Sequence, residues 1–205
     1  MNVGIIEANY GNLPSLSRAL KQIDCNSVLI KGPKDLELVN RVIIPGVGAF
    51  PKAMSFLNQS GLTQAIRKFA SKKSNRILGI CLGAQLLFES SDEDEQTEGL
   101  NLVKGRVICL NPPHFPFRVP HTGWSETIFT QSFAGFQSGE AVPFYYNHSY
   151  FFDYVGTSHV TKLQGAPSVI TGVLQENILA LQFHPEKSLD QGRTLLKYFV
   201  SGDNE

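Results

Sequence analysis

The sequence predicts an α/β fold of three layers, in which a mostly parallel or mixed central sheet is flanked by helices. Short apolar runs alternate with helical patterns over residues 3–89, which is typical of strand–helix–strand units. Later apolar runs follow one another with hairpin-style turns, which predicts a smaller antiparallel β element in the second half. The length of 205 residues suits one domain, residues 1–205.

The first half opens with a short apolar strand at residues 3–6 and a polar turn rich in Gly and Asn. A helix follows at residues 14–23, because Leu13, Leu16, Leu20 and Ile23 recur at helical spacing and Pro14 suits a first turn. The remaining pieces are predicted in order as strands at 27–30 and 41–44, helices at 53–57 and 62–70, a strand at 76–80 and a helical run at 84–89.

The second half is predicted as strands at residues 106–110, 144–146, 168–174 and 178–183, closed by a helix at 191–199. Glu176 and Asn177 form a hairpin turn between the last two strands. The acidic stretch 92–98 is predicted as a solvated loop, and residues 201–205 as a frayed tail.

The composition excludes several classes of protein. Lys plus Arg and Asp plus Glu number 18 each, so the net charge of zero gives no electrostatic footprint for nucleic acid or an anionic membrane. No apolar run reaches the roughly 20 residues of a membrane span, and the N-terminus lacks the features of a secretory signal. We therefore expect a cytoplasmic protein. The three cysteines are odd in number and irregularly placed, so we expect no disulfide framework. Because no Cys or His pair has the spacing of a zinc site, we expect no metal, and we expect no cofactor.

One cysteine has the sequence context of a nucleophile. Cys81 lies in GICLG, at the junction between a predicted strand and a predicted helix. A sharp strand-to-helix turn projects a side chain beyond the carboxyl ends of the strands, where α/β folds bind ligands. The helix N-terminus favours a thiolate, and the Leu82 amide is placed to donate to an oxyanion. Cys25 and Cys109 lack this context and are predicted to be structural.

A thiolate nucleophile needs a base, and His184 ends an apolar strand two residues before Glu186. In an extended backbone both side chains point to the same side, so the carboxylate fixes the tautomer of the imidazole. The alternative is a surface His and Glu at a strand end. The glycine-rich PGVGAF turn at 45–50 lacks P-loop spacing and is predicted to form an oxyanion wall, the alternative being a plain turn.

Five segments together resemble a known family. They are IPGVGAF at 44–50, GICLGAQLL at 79–87, VPHTGW at 119–124, HSY at 148–150 and QFHPEKS at 182–188. In this order they are similar to the class I (triad) glutamine amidotransferases, a flavodoxin-like α/β family, over about residues 2–200. More narrowly, the segments resemble the glutaminase subunits of imidazole glycerol phosphate synthase, in histidine biosynthesis.

The resemblance implies a reaction and a set of site residues. Cys81 attacks the side-chain amide of L-glutamine, His184 transfers the proton and Glu186 orients it, which yields glutamate and ammonia. The implied oxyanion hole comprises Val47, Gly48 and Leu82. The implied glutamine-binding residues are Gly46, Gly83, Gln85, Glu93, His148, Ser149 and Tyr150.

The same resemblance implies a partner. The ammonia passes to a (β/α)8-barrel cyclase subunit in a heterodimer, and the cyclase makes imidazole glycerol phosphate and aminoimidazole carboxamide ribotide. Asn12, Trp124 and Tyr146 match or lie near the family's interface positions. Departures from the family pattern fall at the opening loop 7–12, the Pro- and Phe-rich insert 112–117 and Asn147. The alternative acceptor is therefore sugar amidation in surface-polysaccharide biosynthesis.

Two other functions compete with a glutaminase subunit. A free-standing cysteine hydrolase of the peptidase or deglycase type generally has His directly after the nucleophile, but Leu82 follows Cys81 here. A catalytically silent binding subunit would have no reason to keep Cys81, His184 and Glu186 together.

Overall fold

The fold is organised around one mixed sheet. The computed structural model describes residues 2–7, 12–94, 96–110 and 115–202, and within them 13 strands join in this sheet. The strands are β1 (Asn2–Ile6), β2 (Asn26–Ile30), β3 (Arg41–Gly46), β4 (Arg76–Cys81), β5 (Phe88–Ser91), β6 (Thr97–Glu98), β7 (Val103–Cys109), β8 (His121–Phe129), β9 (Ala141–His148), β10 (Tyr150–Tyr154), β11 (His159–Leu163), β12 (Ala166–Gln175) and β13 (Ile178–Leu181).

Helices cover the sheet on both faces. They are α1 (Leu13–Lys21), α2 (Phe50–Gln59), α3 (Leu62–Ala70), the single turn α4 (Leu82–Gln85) and α5 (Leu189–Ser201), with 3-10 helices at Pro33–Leu38 and Pro185–Lys187. The apolar faces of α1 and α5 pack on one side of the sheet, and those of α2 and α3 pack on the other. Neighbouring strand residues alternate between the two cores, as Ile5 and Ile6 do, because successive side chains point to opposite faces.

The parallel half of the sheet has the order β2-β1-β3-β4-β13. Apart from the arginines that begin β3 and β4, its central strands are apolar, which is typical of strands covered by helices on both faces. In the register of β3 with β4, Gly46 lies opposite Cys81. Leu181, the last residue of β13, lies opposite Ile80. Three adjacent carboxyl ends therefore meet at one edge of the sheet.

The antiparallel half continues from β13 through β12, β10 and β7. β11 pairs with β12 and with β8, and β8 pairs with β9. Gln175 pairs with Ile178 around the turn predicted at Glu176 and Asn177, so that hairpin is confirmed. The pairing of β8 with β9 places His121 opposite His148.

The predicted α/β architecture is confirmed, and one predicted helix is wrong. The helical run expected at 84–89 ends at Gln85, and Phe88 begins a strand. Phe88 is fully buried and stacks on Phe152, and β5 pairs with β7, so tertiary packing overrides the local helical pattern. Most of the acidic stretch 92–98 is loop as predicted, except for β6. Within the described part of the chain, no helix is long and apolar enough to cross a membrane.

Candidate active site

The turn that carries Cys81 is held by close backbone packing. Cys81 has φ +53° and ψ −114°, an unfavourable conformation for a residue with a side chain. A Cβ atom on Gly83 would overlap the carbonyl oxygen of Ile44, and one on Gly79 would clash with the backbone of Ala84. The sharp turn predicted from GICLG is present in the structure. However, the helix after it has only four residues, so the dipole expected to favour a thiolate is that of a single turn.

His184 and Glu186 form a buried pair beside this turn. The imidazole Nδ1–H donates to Glu186 Oε1 over 2.8 Å, and both side chains are at most 5% exposed. The chain does not stay extended as expected, because Pro185–Lys187 is a 3-10 helix, yet the carboxylate still reaches the ring. Burial alone lowers the pKa of His184, but its interactions with Cys81 and Glu186 raise it more strongly, to about 9. The imidazole is therefore cationic at neutral pH.

The sulfur of Cys81 has two further polar neighbours. Its thiol donates to the carbonyl oxygen of Asn147 over 3.6 Å, and the side-chain amide of Gln182 donates to the sulfur over 3.7 Å. Gln85 Nε2 in turn donates to Gln182 Oε1 over 3.1 Å. Apart from the interaction of the ring with Cys81, His184 Nε2 has no hydrogen-bond partner among the described residues, which leaves it available for proton transfer at Cys81.

Gln182 is a residue that the sequence analysis missed. It lies in the QFHPEKS segment and is fully buried, but no role was predicted for it. A buried amide needs hydrogen-bond partners, and those of Gln182 are Cys81 and Gln85. The available signal was its position two residues before His184, which puts both side chains on the same side of an extended chain.

A cavity of about 210 Å³ opens beside Cys81. This volume is below the roughly 300–1,000 Å³ of sites for drug-sized ligands, so it suits a small substrate. The structure brings most of the predicted site residues to its walls. Those that line it are Val47, Gly48, Cys81, Leu82, Gln85, Glu93, His148, Ser149 and Tyr150, together with Pro120 and Asn147, for which no binding role was predicted.

The two predicted glutamine-binding glycines, Gly46 and Gly83, do not line this cavity. A Cβ atom on Gly46 would lie 2.9 Å from the backbone nitrogen of Gly83, so the two glycines allow β3 and α4 to approach each other. Their role in this structure is packing beneath the site. Their contact with glutamine stays a prediction.

The carboxylate of Glu93 is fixed at the cavity wall. Its Oε2 accepts a hydrogen bond from the backbone N–H of Phe50 over 2.9 Å, at the start of α2. Gly48, two residues earlier, has φ +117°, a conformation that favours glycine. An acidic side chain and a flexible glycine turn therefore border the same small cavity.

His148 forms part of the opposite wall and is buried. Burial, together with nearby His121 and His184, lowers its pKa to about 3, although the hydrogen bond to the carbonyl oxygen of Tyr150 acts in the opposite direction. Burial also lowers the pKa of His121. An uncharged imidazole therefore lines the cavity, whereas the cationic imidazole of His184 lies behind Cys81 and outside the lining.

The predicted partner-facing residues have different environments. Trp124 is 48% exposed, whereas Tyr146 has no exposed surface and its hydroxyl bonds with Thr127. The assignment of Tyr146 to an interface is therefore wrong, because alternation along β9 turns it into the core. Asn12 caps α1, with Oδ1 accepting from the N–H of Ser15 over 3.3 Å. Residues 8–11 of the opening loop and 112–114 of the Pro- and Phe-rich insert lie outside the described residues.

Tyr145, which the sequence analysis did not select, connects Trp124 to the catalytic pair. Its ring lies edge-on to Trp124 at 6.2 Å and 6.3 Å from the His184 ring. The ammonium of Lys187 lies 5.3 Å from the Tyr145 ring centroid. The backbone N–H of His184 also donates to the carbonyl oxygen of Tyr145 over 2.9 Å. An exposed aromatic residue is thus joined to the buried imidazole through one side chain.

The remaining cysteines and possible metal ligands add no second site. Cys25 is buried in the core and Cys109 is exposed. Across residues 2–7, 12–94, 96–110 and 115–202, no cluster of three His, Cys, Asp or Glu side chains has a geometry that could hold a metal ion.

Comparison with known proteins identifies relatives of this chain. The family model described as glutamine amidotransferase class-I matches residues 5–201. The imidazole glycerol phosphate synthase subunit HisH of Sulfurimonas denitrificans is 37% identical, with 98% of this chain and 99% of that protein covered. The HisH subunit of Synechococcus sp. strain CC9902 is 38% identical, over 98% of this chain and 94% of that protein.

Solved structures agree on the fold. A crystal structure described as a glutamine amidotransferase superposes with a TM-score of 0.77 at 20% identity, over 97% of both chains. A PurLQS structure from Thermotoga maritima has a TM-score of 0.75 at 17% identity, over 98% of both chains.

Proposed function

The chain belongs to the class I glutamine amidotransferase family, and from that premise we propose that it is the glutaminase subunit of an imidazole glycerol phosphate synthase. The observation that carries the proposal is Cys81 on its strained turn beside the buried His184–Glu186 pair, at the mouth of a small cavity. Full-length similarity to HisH subunits supports the place in histidine biosynthesis. We propose that residues 1–205 act as one domain in the cytoplasm.

The proposed reaction begins with attack of the Cys81 thiolate on the side-chain amide carbon of glutamine. His184 holds the proton taken from the thiol and gives it to the leaving nitrogen, so the C–N bond breaks and ammonia departs. A water molecule then attacks the γ-glutamyl thioester, His184 accepts a proton from it, and glutamate and the free thiol are released. Glu186 holds the imidazole in one orientation and stabilises its cation.

Substrate recognition in this proposal uses both walls of the cavity. The backbone amides of Gly48 and Leu82 stabilise the oxyanion, and Val47 forms part of the same turn. The carboxylate of Glu93 pairs with the α-ammonium group of glutamine, and Gln85 contacts its other backbone groups. Ser149 and Tyr150 complete the opposite wall.

We further propose that a (β/α)8-barrel cyclase docks over the cavity mouth and receives the ammonia. Four exposed apolar side chains support a protein partner: Val47, Phe117, Val119 and Trp124, which are 36–48% exposed. Val47 lines the cavity, so a partner covering this surface would also close the site. Tyr145 gives contact at Trp124 a direct route to His184.

The test is glutamate release from glutamine by this chain alone, and then with the histidine-pathway cyclase of its own organism and that cyclase's ribulosyl substrate. We expect a large rise in rate that depends on the substrate of the cyclase, with imidazole glycerol phosphate and aminoimidazole carboxamide ribotide as products. Suppose no rise occurs, while Cys81 still reacts with a chloroketone analogue of glutamine. The glutaminase would then stand, and the acceptor would be a different one, such as a sugar in polysaccharide synthesis.

A further inference from the structure

A line of hydrogen bonds runs from β8 into the wall of the cavity. The hydroxyl of Ser125 lies 2.9 Å from His121 Nε2, and His121 Nδ1 lies 2.9 Å from His148 Nε2. His148 Nδ1 lies 2.7 Å from the carbonyl oxygen of Tyr150. His121 and His148 are each about 5% exposed, so these contacts are shielded from water.

The last contact sets the direction of the whole line. A carbonyl oxygen only accepts, so His148 Nδ1 carries a proton and donates it to Tyr150. Burial keeps His148 uncharged, which makes its Nε2 an acceptor. His121 must then donate from Nδ1, and as a neutral ring it accepts at Nε2 from the Ser125 hydroxyl. Each tautomer is fixed by the next partner inward.

This line ends on the segment that forms the cavity wall. His148, Ser149 and Tyr150 all line the cavity, and the carbonyl oxygen of the preceding Asn147 accepts from the Cys81 thiol. The bond from His148 to the carbonyl two residues ahead closes a tight turn in this segment. His121 does not line the cavity. It acts on the wall only through the orientation of the His148 ring.

We propose that His121 is a positioning residue for glutamine binding, which it serves by donating a hydrogen bond that holds His148 and the 148–150 turn in place. This inference rests on the proposed function, because it assigns glutamine to the cavity. His121 also contacts Phe115, Phe117 and Tyr146 through its ring, so packing is the competing explanation for its burial. The two explanations separate in a pair of variants.

His121→Phe keeps an aromatic ring and loses the donor, whereas His121→Asn loses the ring and keeps an N–H close to the position of Nδ1. In the complex with the cyclase, we expect His121→Phe to raise KM for glutamine about tenfold, the effect of one lost buried hydrogen bond, with kcat changed by less than about threefold. His121→Asn should stay within about threefold of wild type in both constants. Ser125→Ala should raise KM in the same direction by about twofold to threefold.

Cys81 supplies a second measurement that needs no turnover. Alkylation by a chloroketone analogue of glutamine should slow in His121→Phe, while alkylation by iodoacetamide, which does not use the glutamine wall, should keep its wild-type rate. Glu126→Gln, an exposed change on the same strand, is the matched control and should alter neither rate.

The outcomes are distinguishable. An unchanged KM in His121→Phe overturns the inference, as does a KM in His121→Asn that rises as much as in His121→Phe, since packing would then be the cause. If His121→Phe does not fold, Ser125→Ala and His121→Asn decide, and an unchanged KM in Ser125→Ala counts against the line. A wild-type complex that releases no glutamate and whose Cys81 does not react with the chloroketone refutes the glutaminase function and this inference with it, whereas a chain that still reacts leaves the inference open to the alkylation test.

Discussion

The two halves of the sheet hold buried histidines in opposite charge states. His184, after the last parallel strand, has a pKa of about 9, because Cys81 and Glu186 outweigh the effect of burial. His148, at the end of an antiparallel strand, has a pKa of about 3, because burial dominates and its partners are a carbonyl oxygen and another imidazole. Burial alone keeps an imidazole neutral, whereas an adjacent carboxylate favours its charged form.

The two halves also shape the site by different means. The parallel half positions Cys81 with backbone strain and with glycines whose Cβ positions are occupied by neighbouring backbone. The antiparallel half positions its wall with side-chain hydrogen bonds from His121 and His148. Substitutions in the first half should therefore remove the chemistry, whereas those in the second half should alter binding.

Removal of the nucleophile is the largest expected effect. Cys81→Ala should lower glutamine hydrolysis by at least about a thousandfold, since no other group forms the thioester. Synthesis driven by added ammonia in the cyclase complex should persist, because the thiol serves only the amide. The measurement compares glutamine-dependent and ammonia-dependent product formation. Cys109→Ser, at the exposed cysteine, is the control. Glutamine-dependent turnover by Cys81→Ala would remove Cys81 from the mechanism.

His184 and Glu186 should differ in how much each contributes to kcat. We expect the loss of kcat in Glu186→Gln to be about a hundredfold smaller than in His184→Ala, since Glu186 orients the imidazole and His184 transfers the proton. Steady-state kinetics of both variants in the cyclase complex provide the comparison. Equal losses would assign Glu186 a further role or remove His184 as the base.

Much of the parallel half could be predicted from the sequence. Its apolar runs and helical spacings are local patterns, and the turn at Cys81 is signalled by two glycines within five residues. The pair of His184 and Glu186 is close in sequence as well as in space. For these residues, local sequence patterns are sufficient to indicate where the side chains meet, because α/β folds bind ligands at the carboxyl ends of their parallel strands.

The part of the sheet beyond β13 was predicted less well, for a physical reason. Phe88 lies in a strand because β5 pairs with β7. The hydrogen bonds from Ser125 through His121 to His148 depend on the register that places His121 opposite His148. Such pairings join residues far apart in sequence. The family resemblance indicated Tyr146 as an interface residue, but a difference of one residue along β9 puts Tyr146 in the core and Tyr145 against Trp124.

The exposed side chain of Trp124 provides a test of how cyclase binding affects the catalytic site. Trp124→Ala should weaken cyclase-dependent stimulation of glutamine hydrolysis about tenfold, as expected for an exposed aromatic anchor at an interface. The measurement is the rate as a function of cyclase concentration. Iodoacetamide labelling of Cys81 in the free chain should stay unchanged. Leu38→Ala, another exposed apolar residue at 76%, is the matched control, and an equal effect there would contradict a specific interface at Trp124.

The backbone strain at Cys81 predicts which of two variants at this position is the more stable. Glycine tolerates φ +53° whereas alanine does not, so Cys81→Gly should unfold with a free energy about 1 kcal/mol higher than that of Cys81→Ala. Urea denaturation of the two inactive variants measures the difference. At an ordinary strand position, where glycine is the weaker residue, the order would be reversed. That reversed order here would show that the turn stores no strain.

The pH dependence of stability distinguishes the two kinds of histidine directly. The pKa of His184 is raised from 6.5 to about 9, so its stabilisation is complete below pH 6.5 and is lost as the pH rises toward 9. The pKa of His148 is lowered from 6.5 to about 3, so its contribution is present above pH 6.5 and is lost as the pH falls toward 3. The free energy of unfolding, measured in urea between pH 5 and pH 9, should therefore have these two contributions declining on opposite sides of about pH 6.5. Glu186→Gln should flatten only the alkaline side, because it removes the carboxylate that holds the proton on His184. A variant that flattened the acid side instead would mean that the charge assignments of the two halves are reversed.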